Sequence, residues 1–231
     1  MGANFRFSLF TKITTSTYLF LFIVGVLAIL LFEHNHAFKG LSWHQSLFYS
    51  LFQSATTRSA GLQTIDVTTL SDPTNIIMGI LMFIGSSPSS VGGGIRTTTF
   101  AILILFLINF SNNADKTSIK VYNREVHIMD IQRSFAVFTM ATILTFLGML
   151  IISATENGKL TFLQVFFEVM SAFGTCGLSL GVTSDISDIS KVVLMILMFI
   201  GRVGLISFII MIAGRREPDK FHYPKERIQI G

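Results

Sequence analysis

The chain has 231 residues, 51% of them hydrophobic and only 13% charged, with 23 phenylalanines and a formal net charge of +4. That balance excludes an ordinary soluble domain, in which about a quarter of the residues are charged. A single cysteine, Cys176, excludes an internal disulfide framework.

In chain order, the first charge-free run covers 13–32. It is long enough to cross a bilayer core, which takes about 20 apolar residues. It is also too long, and followed by too many further apolar runs, for a signal peptide. His34, His36 and His44 come next, without the cysteine or carboxylate geometry of a metal site, and read as loop histidines. Residues 43–57, WHQSLFYSLFQSATT, are helix-like and apolar but too short to cross. Such a segment either lies at the interface or enters the membrane and turns back, which requires cover by protein or water. Ser71-Asp72 then precede the run 73–95, where they suit a helix N-terminus.

From 75 to 110, 36 residues carry a single charge, Arg96, and as one helix they would reach roughly 54 Å against a core of about 30 Å. The segment must break. The break falls at Ser86, Ser87, Pro88, Ser89, Ser90, Val91, Gly92, Gly93 and Gly94, where a proline removes a helix hydrogen bond and glycines free the backbone. No Lys-Ser/Thr follows Gly94 and no strand precedes it, which removes a phosphate-loop reading. After a polar connector, 134–155 forms another span, 160–173 another short apolar helix, and 192–214 a last span with Arg202 inside it.

Lysine and arginine gather at Arg6 and Lys12, at Lys116, Lys120, Arg124 and Arg133, and at Arg215, Arg216, Lys220, Lys225 and Arg227. The positive-inside rule assigns all three groups, and so both termini, to the cytoplasm. The surplus of positive charge is thereby explained by topology rather than by nucleic acid.

The halves repeat. At an ungapped offset of 116, ILMFIG at 80–85 falls on ILMFIG at 196–201, Ser71-Asp72 on Ser187-Asp188, Gly61-Leu62 on Gly177-Leu178 and Leu47 on Leu163. The unit is span, short re-entrant helix, glycine-containing loop, span, in the same orientation twice. The aligned loop cores are Ser59-Ala60-Gly61-Leu62 and Thr175-Cys176-Gly177-Leu178. Hydroxyl, small residue, glycine and bulky residue in that order resemble a potassium-channel filter, in which backbone carbonyls replace the ion's hydration shell. The hydroxyl can face the ion path, the glycine frees carbonyl orientation, and the leucine can brace the loop from behind.

SATTRSAGLQT, SAFGTCGLS and the interruption SSPSSVGGGIRTTT together resemble the membrane subunit of the Trk/Ktr/HKT potassium transporters, most closely a KtrB-type subunit. The resemblance implies an all-α membrane fold with four span–pore-helix–span repeats around one pore. This chain matches two of them, the C-terminal half. The missing repeats are then expected from an N-terminal half or from a second copy. It further implies potassium, or sodium, uptake through filter carbonyls at 59–62 and 175–178, with K+ as cargo and no cofactor. Residues 86–94 take the place of an intramembrane gating loop, with Arg202 as a vestibule cation able to hold its carbonyls. Expected partners are a homodimer of complete subunits in the bacterial plasma membrane and a cytosolic nucleotide-binding subunit of the KtrA type, for which the tail 215–231 is a candidate dock.

The expected organisation is a first repeat over 1–110, a connector over 111–133, a second repeat over 134–214 and a tail over 215–231. Rival readings are a non-conducting regulatory or scaffold half-subunit and a broken-helix carrier, although carriers usually show inverted repeats. Gly177-Leu178-Ser179-Leu180-Gly181 matches G-x-S-x-G, but an apolar helix precedes it and no base is nearby, so no enzyme is expected. Glu168, in the second short helix, reads as a structural group. Arg58 anchors the first filter loop or faces outer water. Asp66, Asp72, Asp185 and Asp188 are external loop acids, either solvated or concentrating cations at the mouth.

Overall fold

The computed structural model describes residues 8–88, 90–112, 120–121 and 124–205. Ser89 of the proposed gate, Lys116 of the connector, the end of the last span and the basic tail 215–231 lie outside the described residues. Seven α-helices are described: α1 (Leu9–Glu33), α2 (Trp43–Thr56), α3 (Asp72–Ile84), α4 (Thr97–Asn112), α5 (Ile128–Glu156), α6 (Phe162–Gly174) and α7 (Asp188–Val203). A short antiparallel ladder, Lys120–Val121 with Arg124–Glu125, interrupts the otherwise all-α order within the connector.

The long helices α1 and α5 have 25 and 29 residues, about 38 and 44 Å at the usual rise, enough to cross an apolar core. Their outward faces are apolar: Leu19, Phe20, Leu27 and Leu31 on α1, and Phe146, Leu150 and Ile151 on α5, are all exposed. The interior holds Ser50, Gln53, Ser54, Thr56, Thr57 and Arg58 instead. A greasy surface around a partly polar interior is stable where the solvent is lipid, because interior polar groups can pair and exposed ones cannot. α5 begins at Ile128, six residues before the apolar run, because the chain caps itself there: the His127 side chain accepts from the Met129 amide, and Arg133 faces Asp130 at 3.9 Å.

The short helices form where expected. Each opens with a capping box, Ser42 with Gln45 and Thr161 with Gln164, whose side chains satisfy otherwise orphaned N–H groups. The two caps are 119 positions apart, not 116. The ungapped offset therefore fails in the short helices, and Leu47 and Leu163 are not equivalent. α2 ends five residues before Gly61, α6 three before Gly177. α6 is the centre of the packing. Its Val165, Phe167, Val169, Ala172 and Phe173 join three hydrophobic clusters formed with α3, α5 and α7. α2, by contrast, leaves Trp43 and Phe48 exposed.

Ser71 and Ser187 are the N-cap residues of α3 and α7, as the repeated Ser-Asp suggests. Their true anchor lies elsewhere. Glu33, at the last turn of α1, accepts from the Ser71 amide at 2.8 Å and the Ser71 hydroxyl at 2.7 Å. Glu156, at the last turn of α5, accepts from the Ser187 amide at 2.8 Å and the Ser190 hydroxyl at 2.7 Å. Each carboxylate ties the end of one long helix to the positive N-terminus of the return helix. Glu33→Ala and Glu156→Ala are each expected to lower the melting temperature in detergent by about 5 °C or more, since each leaves buried donors unpaired. Unchanged melting in both variants would contradict this anchoring.

The 75–110 segment breaks as its length demands. α3 stops at Ile84, α4 starts at Thr97, and 85–96 form a loop slightly wider than 86–94. The last span departs from expectation. α7 ends at Val203 because Gly204 takes φ +90°, and Arg202 is an exposed residue in its last turn rather than one buried at mid-helix. The second copy of ILMFIG thus also leads to a break.

Candidate functional site

The two glycine-containing loops, far apart in sequence, meet. The Ser59 hydroxyl donates to the Gly174 carbonyl at 3.2 Å, and the Cys176 thiol to the Thr56 carbonyl at 3.2 Å. Gly61 lies directly against the Cys176 carbonyl, so that a Cβ at 61 would overlap it. Within the first loop, Thr56 accepts from the Leu62 amide at 2.9 Å and donates to its carbonyl at 2.6 Å.

Both loops share an unusual backbone. Ser59 (φ 79°), Gly61 (φ 66°), Thr175 (φ 49°) and Gly177 (φ 94°) have positive φ, and Ala60 and Cys176 between them do not. Among the described residues only four non-glycines have positive φ, and two of them are this aligned Ser and Thr. A β-branched threonine resists that region, so its presence marks a conformation imposed by surroundings.

Loop 85–96 packs against the hydroxyl end of both. The Gly93 amide donates to Thr175 Oγ1 at 2.8 Å, and Gly92 abuts the Ser59 hydroxyl so closely that no side chain fits there. The neck of the loop is closed by Ile95 N–H to Phe83 O and Thr97 N–H to Ser86 O, both 3.1 Å. Its tip carries the Ser86–Ser90 hydroxyl pair and the bond from Ser90 Oγ to Ser87 O. Pro88 and the rest of the tip lie between Ser87 and Val91, and Gly94 packs on Gly85 at the neck.

Three guanidinium groups hold carbonyls of this loop. Arg202 donates to Val91 O. Arg96 donates to Ser87 O at 3.4 Å and Ser90 O at 3.3 Å, and Arg58 to Gly85 O at 3.0 Å. The hold of Arg96 and Arg58 on this loop has one sequence signal: both arginines flank stretches of small residues inside apolar sequence. Arg58 is buried, so the outer-water reading fails, and its bond goes to loop 85–96 rather than to the first glycine-containing loop itself.

Other expectations are sorted by contacts. Leu178 is buried beside Met78, Met82 and Phe167 and braces the second loop, but Leu62 is 63% exposed and has no such pocket among the described residues. The difference arises because α3 supplies the pocket for Leu178, and no described helix occupies the corresponding position behind Leu62. Glu168 accepts from the Ser179 hydroxyl, from Leu180 N–H at 3.1 Å and from Thr183 Oγ1 at 2.8 Å, which ties down the loop after the second filter segment. It makes no ion pair with Arg202. Asp66 caps a short turn at Val67–Thr69, and hydrogen bonds from the Thr68 amide and hydroxyl hold its carboxyl below the usual carboxylate range. His36 does have a carboxylate beside it, Glu33 at 3.3 Å, an i,i+3 contact at the end of α1.

Comparison with known proteins places the chain in a family. The family described as TrkH, cation transport protein, matches residues 3–222. The chain is 52% identical over 228 residues to the Ktr system potassium uptake protein D of Bacillus subtilis, covering 99% of this chain and 50% of that protein. It is 33% identical over 223 residues to the Ktr system potassium uptake protein B of Vibrio alginolyticus, covering 96% and 48% respectively. The chain therefore spans about half the length of the curated relatives it matches. The crystal structure of the potassium transporter TrkH from Vibrio parahaemolyticus superposes with a TM-score of 0.73 at 21% identity, over 87% of this chain and 44% of that one, which supports the fold.

Proposed function

Because the chain belongs to the TrkH family of cation transport proteins, we propose that it supplies half of a potassium-uptake pore, with two of four filter loops and the loop that gates it. The observation that carries this reading is the matched left-handed pattern at Ser59/Gly61 and Thr175/Gly177, in two loops that meet above one glycine-rich segment. The carbonyls of 59–62 and 175–178 are the ion ligands, and dehydrated K+ passes along them. Two loops cannot surround an ion. The exposed Leu62 and the bare flank of α2 are the surfaces that further repeats would cover. These repeats come from an N-terminal half or from a second copy.

Loop 85–96 closes the path below the filter. With Gly92 and Gly93 seated on Ser59 and Thr175, no hydrated cation passes, and Arg202 holds the tip in place while adding positive charge to the path. Arg202→Ala is expected to raise potassium flux several-fold in the complete transporter. An unchanged flux in folded protein would remove Arg202 from gating. A cytosolic nucleotide-binding subunit of the KtrA type is the proposed source of control, acting from the cytoplasmic side of a bacterial plasma membrane.

Proteoliposome flux tests the half-pore reading. The expected result is no potassium-selective flux from the chain alone, and flux once the remaining repeats are co-assembled. Selective flux from the chain alone would instead favour a self-pairing half. No flux in either case would favour a regulatory scaffold.

A further inference from the structure

Arg58 and loop 85–96 are both asymmetric features of an otherwise repeated architecture, and they touch. At the aligned position the second repeat has Gly174, which lies so close to the Met82 carbonyl that no side chain fits. In the first repeat the guanidinium is 8% exposed and sits between three elements. It donates from Nη1 to Gly85 O at 3.0 Å, where α3 stops and the intramembrane loop begins. It lies over the ring of Tyr18 on α1, 5.9 Å from the centroid, within cation–π range. Through the chain it is joined directly to Ser59, the strained first residue of the filter loop. Among the described residues its Nε and Nη2 are buried without a hydrogen-bond partner.

Burying a guanidinium with two donors unused is costly. A fold that needed only an apolar anchor at 58 would be better served by leucine or methionine. The cost is explicable if the group must report on a backbone carbonyl that moves.

We propose that Arg58 is a positioning residue coupling filter and gate: its bond to Gly85 O transmits the position of the intramembrane loop to the left-handed conformation of Ser59. When the loop seats, Gly85 holds the guanidinium and the guanidinium holds Ser59 against Gly174 O. When the loop is displaced, the hold on Ser59 relaxes, and the two unused donors give Arg58 a second set of carbonyls to take. Displacement of the loop at Gly85 is thereby linked to ion preference, whereas loss of the tip alone leaves the Gly85 contact in place and frees the path without touching Ser59. This rests on the gate reading above, and the test separates the two.

The measurement is K+ and Na+ flux by the complete transporter in proteoliposomes, for wild type, R58Q, R58K, an excision of residues 88–92, and the excision combined with R58Q. Coupling predicts that R58Q lowers the K+/Na+ flux ratio about fivefold or more and raises total flux, whereas the excision raises flux and leaves the ratio unchanged. The double variant should show the flux of the excision alone within about twofold, because both act on one equilibrium. R58K, which can still reach Gly85 O, should recover most of the ratio. Multiplicative flux effects in the double variant, or an unchanged ratio in folded R58Q, would overturn the coupling. An excision without effect on flux would overturn the gate, and the R58Q ratio would then decide the positioning role by itself. If no Arg58 variant folds, hydrogen exchange in the unmodified transporter serves: amides of 59–61 and 86–92 should change rate together between low-flux and high-flux states. A change confined to 86–92 would refute the proposal.

Discussion

Gly61→Ala is expected to abolish selective potassium flux, while Gly177→Ala impairs it less. Both glycines are left-handed, so alanine costs about 1–2 kcal/mol of backbone strain at either site. Only Gly61 faces a second, steric obstacle. Its Cβ would overlap the Cys176 carbonyl oxygen, which belongs to the neighbouring filter loop and cannot retreat without turning its own peptide group. At Gly177 the nearest atom is the Gly61 Cα at 3.8 Å, an ordinary contact. A loss of more than about 100-fold at 61 and about 10-fold at 177 is expected if the strain falls on the conducting conformation. Flux of K+ and Na+ from proteoliposomes containing correctly folded protein reads this directly. Equal effects at both positions would mean that the two loops do not meet as described.

Excising residues 88–92 is expected to raise potassium flux about tenfold without altering the preference for K+ over Na+, a change of about 1.4 kcal/mol in the open–closed balance. The neck bonds at Phe83–Ile95 and Ser86–Thr97 lie outside the excision, and Gly85 already packs on Gly93 and Gly94, so the ends can be joined. What is lost is the tip: the carbonyls of Ser90 and Val91 that Arg96 and Arg202 hold, and Gly92, which abuts Ser59. The filter carbonyls are untouched, hence the unchanged preference. A folded excision variant with wild-type flux would show that this loop is only a static kink. A changed preference would show that the tip forms part of the filter.

Arg202 meets Val91 O from the last turn of α7, not from the middle of a continuous helix, because α7 stops at Val203. Gly204 in GRVG marked the stop, and the apolar residues around it masked the signal. Leu62 and Leu178 differ in structure. Their sequence contexts match, but only Leu178 has a pocket, because its pocket is made by another repeat.

Periodic and local properties were therefore legible in the chain alone. Long apolar runs demanded spans, a 36-residue stretch with Ser, Pro and Gly in its middle demanded a break, and six identical residues at one offset set Gly61 against Gly177, in loops that share positive φ at matching positions. These depend on near-neighbour sequence and on fixed helix geometry. The tertiary structure decided what depends on distant partners. It set Glu33 and Glu156 on the return-helix caps, at a spacing the ungapped repeat concealed because the connecting turns differ in length. It brought Gly61 against Cys176, seated Gly92 and Gly93 on two hydroxyls more than 80 residues away in one case, and turned Arg58 inward to Gly85. A hydrogen bond across the fold leaves no periodic trace in sequence, since its two ends are set by the packing of helices and not by their spacing along the chain.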